Sequence, residues 1–342
     1  MDELSEMDRR RFLTVLGGLG GAMAYGGMLQ VPDSFAKEAY PAGKITYIVG
    51  YSPGGGNDQT ARAAAQFMNK HIKTFSRVPS KVSVIIQNEP GGSGMKAIRS
   101  LYTADPDGYT IAHGEDMLHT RSILGKLGFD PFELTYLGRI ASGSKVVVTG
   151  KNSPIRTWED VVNLSKKTPI RFGNATFASS NHVGTIFLID TTGISAKMIL
   201  FGAGPNTNAA LIRGDIHLAL NNEDGLKGMI DSGELRPILT FSEKQQYPGC
   251  QTIKDIGYPE LINPIRSQRY VIAPPKMPAN IKKILVDTLK RALTDKEFLA
   301  WNEKVGLSFE PIYSPEVDEH VKKVQGFYNS KSALLRKYLD KG

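Results

Sequence analysis

The chain has 342 residues, 41% hydrophobic and 22% charged, a balance that suits a globular protein with length for two domains of about 150 residues each. A formal charge of +8 invites an anionic partner, but Lys and Arg are scattered, with no run of five and no interleaved aromatics, which argues against nucleic acid. The single cysteine, Cys250, cannot form an internal disulfide, so the fold rests on its core. The chain opens with a basic patch, an apolar run from Phe12 to Val31 diluted by glycines, and a small-x-small site at Ser34-Phe35-Ala36, which together read as an export signal over residues 1–36. Arg9, Arg10 and Arg11 followed by Phe12-Leu13 fit a twin-arginine leader, with an ordinary secretory signal as the alternative. Cleavage after Ala36 removes three Arg and five acidic residues and takes the formal charge from +8 to +10.

From Lys44, short β-rich runs alternate with 3.6-period runs, which predicts an α/β fold. "KITYIVGYS" reads as a strand, and "NDQTARAAAQFMNKHI" as a helix with Ala61, Ala65, Met68 and Ile72 along one face and Asn57 or Asp58 as its cap. "KVSVIIQNEP", "GGSGMKAIRSLYTA" and "DGYTIAHG" then give a strand, a glycine loop with its helix, and another strand. Further on, "TWEDVVNLSKK" opens as a capping box on Thr157 and Asp160, and "SSNHVGTIFLIDTTG" reads as a helix ended by Gly193. Strands and helices continue to alternate through residue 240. Behind "RSQRYVIAPP", helices are signalled at "PANIKKILVDTLKRALTD", with Pro278 in the first turn, and at "SPEVDEHVKKVQGFY", capped by Ser314. No Pro- or Ser-rich linker separates domains, so the chain is expected to cross between them on continuous strands.

Three consecutive glycines after the first strand, in Tyr51, Ser52, Pro53, Gly54, Gly55, Gly56, Asn57 and Asp58, leave backbone N–H groups bare at a helix start, where an anion is favoured. A Walker loop is excluded, because Gly56-Asn57 stands where Lys-Ser/Thr is required. The second loop, Gly92, Ser93, Gly94 and Met95 continuing to Ala97, fits G-x-G-x-x-A, with Glu115 and Asp116 about 20 residues on, so a dinucleotide site stays open. An anion receptor uses both loops, converging on one crevice at the strand ends; tight turns alone are the structural alternative.

"YPAGKITYIVGYSPGGGNDQTAR", "VIIQNEPGGSGMKAI", "ADPDGYTIAHG", "FDPFELTYLGRI", "LFGAGPNTNAALIRGDIHLAL", "GMIDSGELRPI" and "YVIAPPKMPANIKKIL", in this order and spacing, resemble the solute receptors of tripartite tricarboxylate transporters over residues 40–315. The resemblance implies a two-lobed periplasmic binding protein of the type 2-like, Venus-flytrap kind, with crossing strands between α/β lobes: lobe I from 40–143 plus 268–342, lobe II from 144–267. It implies a small organic carboxylate as ligand, with one carboxylate held by the loops Pro53 to Asp58 and Gly92 to Met95. It also implies delivery to the membrane subunits of a tripartite secondary transporter. Selectivity would come from lobe II, with Ser179, Ser180, Asn181 and His182 and the loop at Phe201-Gly202 as candidates.

The sequence departs from the family's pattern at "EDMLHTR", at "FASSNH", and at Arg269-Tyr270 preceded by Arg266, so the ligand need not be a plain tricarboxylate. Arg266 or Arg269 could grip a second carboxylate or be a solvated surface arginine. Glu115 or Asp116 could meet a ligand ammonium or hydroxyl or cap a helix. His182 lies near Ser179 and Ser180 without a G-x-S-x-G elbow, and the six histidines form no metal-ligand spacing, so neither a hydrolase nor a metal site is expected. Trp158 and Trp301 read as core. The expectation is a monomeric, non-enzymatic receptor without cofactor; an exported NAD(P)-dependent oxidoreductase and the sensing partner of a signalling receptor are the alternatives.

Overall fold

Twelve strands and twelve α-helices alternate along residues 40–339, and the computed structural model describes all of these residues except 55, 126, 176, 203, 306 and 307. The expected leader, residues 1–36, lies outside the described residues, as does Gly55 of the first loop. The chain lays down β1 (Lys44–Val49), α1 (Gly56–Ile72), β2 (Ser83–Asn88), α2 (Met95–Tyr102), β3 (Thr110–Glu115), α3 (Met117–Ile123) and β4 (Thr135–Gly143). Ser144 alone then separates β4 from β5 (Lys145–Gly150), which is followed by α4 (Trp158–Ser165), β6 (Ile170–Asn174), α5 (Ser180–Thr192), β7 (Ala196–Leu200), α6 (Gly204–Arg213), β8 (Leu218–Asn222), α7 (Lys227–Asp231), β9 (Leu235–Thr240) and β10 (Gln251–Thr252). The one-turn α8 (Ile262–Ile265) leads into β11 (Ser267–Ala273), α9 (Ala279–Leu293), α10 (Lys296–Val305), β12 (Phe309–Tyr313), α11 (Glu316–Ser330) and α12 (Ser332–Leu339).

The strands form two six-stranded sheets, ordered β12-β4-β11-β3-β1-β2 and β10-β9-β5-β8-β6-β7. The chain thus changes sheet between β4 and β5 and returns before β11, and the two crossings lie side by side, with Ser267 paired to Gly143 in the antiparallel β11–β4 ladder. This is the expected two-lobed fold with crossing strands. In the first sheet β1 runs parallel to both β2 and β3, and its Ile45, Tyr47, Ile48 and Val49 are all buried, as a strand covered on both faces requires. The predicted stripe of α1 is buried in full: Ala61, Ala65, Met68 and Ile72 join the core around β1.

Local signals decide where helices stop and start. Thr157 and Asp160 form the predicted reciprocal capping box of α4, and Gly193 ends α5 in the left-handed conformation at φ +67°. Three expectations are corrected. α1 begins at Gly56, so Asn57 and Asp58 lie inside its first turn, where the Asp58 carboxylate accepts the Gly54 N–H at 2.8 Å. Pro315, not Ser314, holds the cap position of α11, and the Ser314 hydroxyl donates instead to Asp318 at 2.7 Å. Pro278 likewise stands at the cap of α9 and not in its first turn.

The tail beyond residue 293 holds elements that carry weak signals. β12 contains Pro311, which cannot donate to a ladder and which the fold accommodates at the sheet edge with a register shift against β4. α11 spans both lobes: its Val317 and Val321 join the core around Tyr136 and Ile272 of the first, whereas Val324 and Tyr328, with Leu335 and Leu339 of α12, join the core that includes Phe172, Phe187 and Ile262 of the second. Phe187 meets Tyr328 edge to face at 5.4 Å. No helix among the described residues is long and apolar enough to cross a membrane.

Candidate functional site

Parallel strands deliver their carboxyl ends to one edge, and here the ends of β1 and β3 open on a cleft of about 600 Å³ between the two sheets. The first lobe lines it with Tyr51, Gly56, Asn57, Gln59, Thr60, Glu115, Asp116, Met117, Arg121, Ser267, Arg269, Trp301 and Val305. The second contributes Phe177, Ala178, Ser179 and Ser180 at the start of α5, with Asn222, Asp224 and Gly225 after β8.

The charges are arranged in layers. Glu115, the last residue of β3, accepts the Tyr51 hydroxyl on Oε2 at 2.5 Å and the Asn57 side-chain amide on Oε1. Burial, reinforced by neighbouring Asp116, pushes its carboxyl up to about 7. Asp116 is 4% exposed and raised by burial, with Lys145 opposing that rise. Its carboxylate hydrogen-bonds Ser180 across the cleft, while Oδ2 has no hydrogen-bond partner. Lys145, first residue of β5, is wholly buried with its Nζ 3.9 Å from Asp116 Oδ2, beyond hydrogen-bond reach. Burial brings this ammonium down to about 8 against the pull of Asp116 and Glu115. Arg269 stands opposite Glu115 in the β11–β3 ladder, and its Nη2 donates to Asp224 Oδ2 of the other lobe at 3.0 Å. The Nε atoms of Arg269 and Arg121 are buried and have no hydrogen-bond partner.

Of the residues singled out in the sequence, Tyr51, Gly56, Asn57, Glu115, Ser179 and Ser180 come together on this cleft. Ser52, Pro53 and Gly54 form an exposed turn beside it, and Asp58 is buried behind it, bound to Gly54, Arg62 and Asn88. The second loop lies beneath the first. A Cβ on Gly50 would come within 2.7 Å of the Gly94 Cα, and one on Gly94 would meet the Tyr51 hydroxyl at 3.4 Å. Gly92 and Ser93 fall in the short 3₁₀ turn, Gly92 to Gly94, that leads into α2, and Met95 is buried. Gly94 therefore supports the first loop, and Gly92, Gly94 and Met95 do not line the cleft.

In the second lobe, Asn181 turns to Asn221 at 3.0 Å, and Phe201 and Gly202 are not on the cleft wall, Phe201 packing against the core around Val146 and Val148. His182 is buried, accepts the Ala178 N–H on Nδ1 at 3.0 Å, and is held down to about 4 by burial, so it serves the turn before α5. Arg266 needs correction. Successive residues of a strand point to opposite faces, so Ser267 and Arg269 face the cleft while Arg266 and Gln268 face away. Arg266 lies in a separate crevice of about 480 Å³, bound to Glu310 and to the Ser142 carbonyl at 2.5 Å.

Asp224 and Trp301 carried no site signal in the sequence. Asp224 follows a strand that runs parallel to β6, and that position was its only clue. Trp301 sits in α10, a helix with no marked start, and it lines the cleft whereas Trp158 is core.

A family model described as "Tripartite tricarboxylate transporter family receptor" matches residues 72–338. A curated Cupriavidus necator protein, "UPF0065 protein in gbd 5'region", is 24% identical over 293 residues, covering 84% of this chain and 85% of its own. Among solved structures, an R. palustris protein with adipate superposes with a TM-score of 0.72 at 22% identity, over 86% of this chain and 98% of the other. MatC from Rhodopseudomonas palustris with bound malate gives 0.69 at 18% identity, over 86% and 100%.

Proposed function

Because the chain belongs to the receptor family of the tripartite tricarboxylate transporters, we propose that it is exported, by its twin-arginine-type leader, to the periplasm. There it captures a small organic carboxylate between its lobes and hands it to the membrane subunits of such a transporter. The carrying observation is the cleft itself: both lobes line it, and two arginines, Arg121 and Arg269, reach it with buried Nε atoms that have no hydrogen-bond partner. A guanidinium suits a buried carboxylate because its planar fork matches the two oxygens. Similar proteins hold adipate and malate, and the cleft volume falls in the range of small-ligand sites.

A ligand that touches both walls binds the closed form more tightly than the open one and shifts the population toward closure. The dinucleotide alternative loses support because the second glycine loop is packed under Tyr51 and Gly50. The test is a thermal-shift screen of mono-, di- and tricarboxylates, aromatic acids, amino acids and NAD(P). A ligand at a hundredfold over its Kd adds about 2.7 kcal/mol, a rise of several degrees at roughly 2–4 °C per kcal/mol. Stabilisation by NAD(P) and by no carboxylate would overturn the reading.

A further inference from the structure

We propose that α11 is a strut that limits how far the cleft opens, and that the crevice it encloses behind the crossing strands is the side of the hinge that narrows as the cleft parts. The chain passes between the lobes a third time here, on a helix. Val317 and Val321 are buried in the core around Tyr136 and Ile272 of the first lobe, and Val324 and Tyr328 in the core around Phe172 and Phe187 of the second. From Val321 to Val324 is about 4.5 Å along a helix axis, less than one turn, so the changeover leaves no slack. Next in the chain, Gln325 is buried with its Oε1 2.8 Å from Nδ1 of His119 on α3, which ties the same helix to the element behind β3.

The helix is stiff where it crosses. Sharp bends arise at proline, at glycine or serine pairs, or where a group inserts into the backbone ladder. Residues 316–325 contain no proline, glycine or serine, and Gly326 stands beyond the changeover, among residues held by the second lobe. The helix is also offset from the crossing strands, with the crevice of about 480 Å³ between them. Arg139 of β4 and Arg266 at the second crossing lie on one side, and His320 and Lys323 of α11 on the other. Ile312 of β12 lines the crevice from the first lobe and Asn263 of α8 from the second. The first-lobe wall is braced, because Arg139 and Arg266 both pair with Glu310. Arg266 faces away from the cleft, and among the described residues none of α11 lines the cleft.

Lobes that turn about the crossing strands come together on one side as they part on the other. Opening the cleft therefore drives Asn263 toward Ile312 across the crevice, and a rod fixed in both lobes on that side bears the load. Bulk added to the crevice stops the opening earlier. A bend in the rod lets it go further.

The experiment reads opening in the full chain without ligand, by small-angle scattering and by acrylamide quenching of Trp301, which lines the cleft. The background is Asp224→Ala, which removes the ion pair with Arg269 that joins the lobes across the cleft. Added to it, Asn263→Tyr places bulk on an exposed position of the crevice wall and should return most of the rise in radius and quenching. Lys322→Gly with Lys323→Gly should raise both further than Lys322→Ala with Lys323→Ala, which removes the same side chains and keeps the helix. Two glycines make the non-helical chain about 30-fold more accessible than two alanines do. Asn263→Tyr that leaves the background as open as before, or a glycine pair no more open than the alanine pair, overturns the proposal. Should either variant fail to fold, the other decides alone. Should Asp224→Ala by itself stay closed, the glycine pair in that background must open it, and a chain closed throughout overturns the strut.

Discussion

The Arg269–Asp224 ion pair ties the two lobes together across the mouth of the cleft, so replacing Asp224 by Ala should open the unliganded protein. The atoms are 3.0 Å apart, with side chains 9% and 17% exposed. At an effective dielectric of about 20, the Coulomb attraction at that separation is about 5 kcal/mol. Desolvation of both groups takes back much of this, and a hydrogen bond between charged partners leaves about 1.5–3 kcal/mol net. Because the pair joins residues of different lobes, the whole loss falls on the closed state, and the closed-to-open ratio should drop about 10- to 100-fold. Asp224→Asn, which keeps an acceptor, should lose less. Trp301 lines the cleft while Trp158 is core, so acrylamide quenching of tryptophan fluorescence reads the opening against a constant background. Small-angle scattering provides an independent radius of gyration. Unchanged quenching and radius in Asp224→Ala would refute the latch.

Acid should destabilise the protein from pH 6.5 downward. Burial holds His113 at about 3 and His119, His182 and His320 at about 4, so between these values and 6.5 the unfolded chain binds protons that the folded chain refuses. Each histidine then costs up to about 1.4 kcal/mol per pH unit. Glu115, raised to about 7 in the fold, returns one such increment between pH 7 and 4.5, leaving up to about 4 kcal/mol per unit from these five groups. Urea titrations at pH 7, 6 and 5 measure it, and a flat or rising stability contradicts the assignment. Gly50→Ala should cost about 1–3 kcal/mol through overpacking and also weaken ligand binding, because the new methyl separates the two glycine loops; denaturation and calorimetry on one variant read both. Thr157→Ala should remove the cap of α4 for about 1 kcal/mol without altering affinity, since the box lies outside the cleft.

The parts of this fold that follow from short-range rules were legible in the sequence. The apolar run of β1, the stripe of α1, the Thr157 box and the Gly193 stop are each written within a few residues. Where a long-range pairing decided the outcome, the sequence was mute: β12 carries a proline and exists because β4 offers it an edge. The site divides in the same way. The glycine loop and Glu115 stand together at the ends of adjacent parallel strands, and reading strand ends found them. Arg266 stands just before β11 and Arg269 within it, three residues on and so turned to the opposite side, and only the register of that strand tells which one enters the cleft. The second glycine loop was read as a ligand loop because bare backbone serves a ligand and a neighbouring loop equally well. The contact between Gly50 and Gly94 shows the second use.

The crossing through Ser144 places Lys145 one residue beyond the end of β4. In a rotation of two rigid lobes, displacement grows with distance from the pivot, as along a lever. Lys145 is on the shortest arm, so its separation from Asp116 changes less than that of groups farther out, such as Trp301 and Phe177. The field it sets up is therefore already present when the cleft gapes.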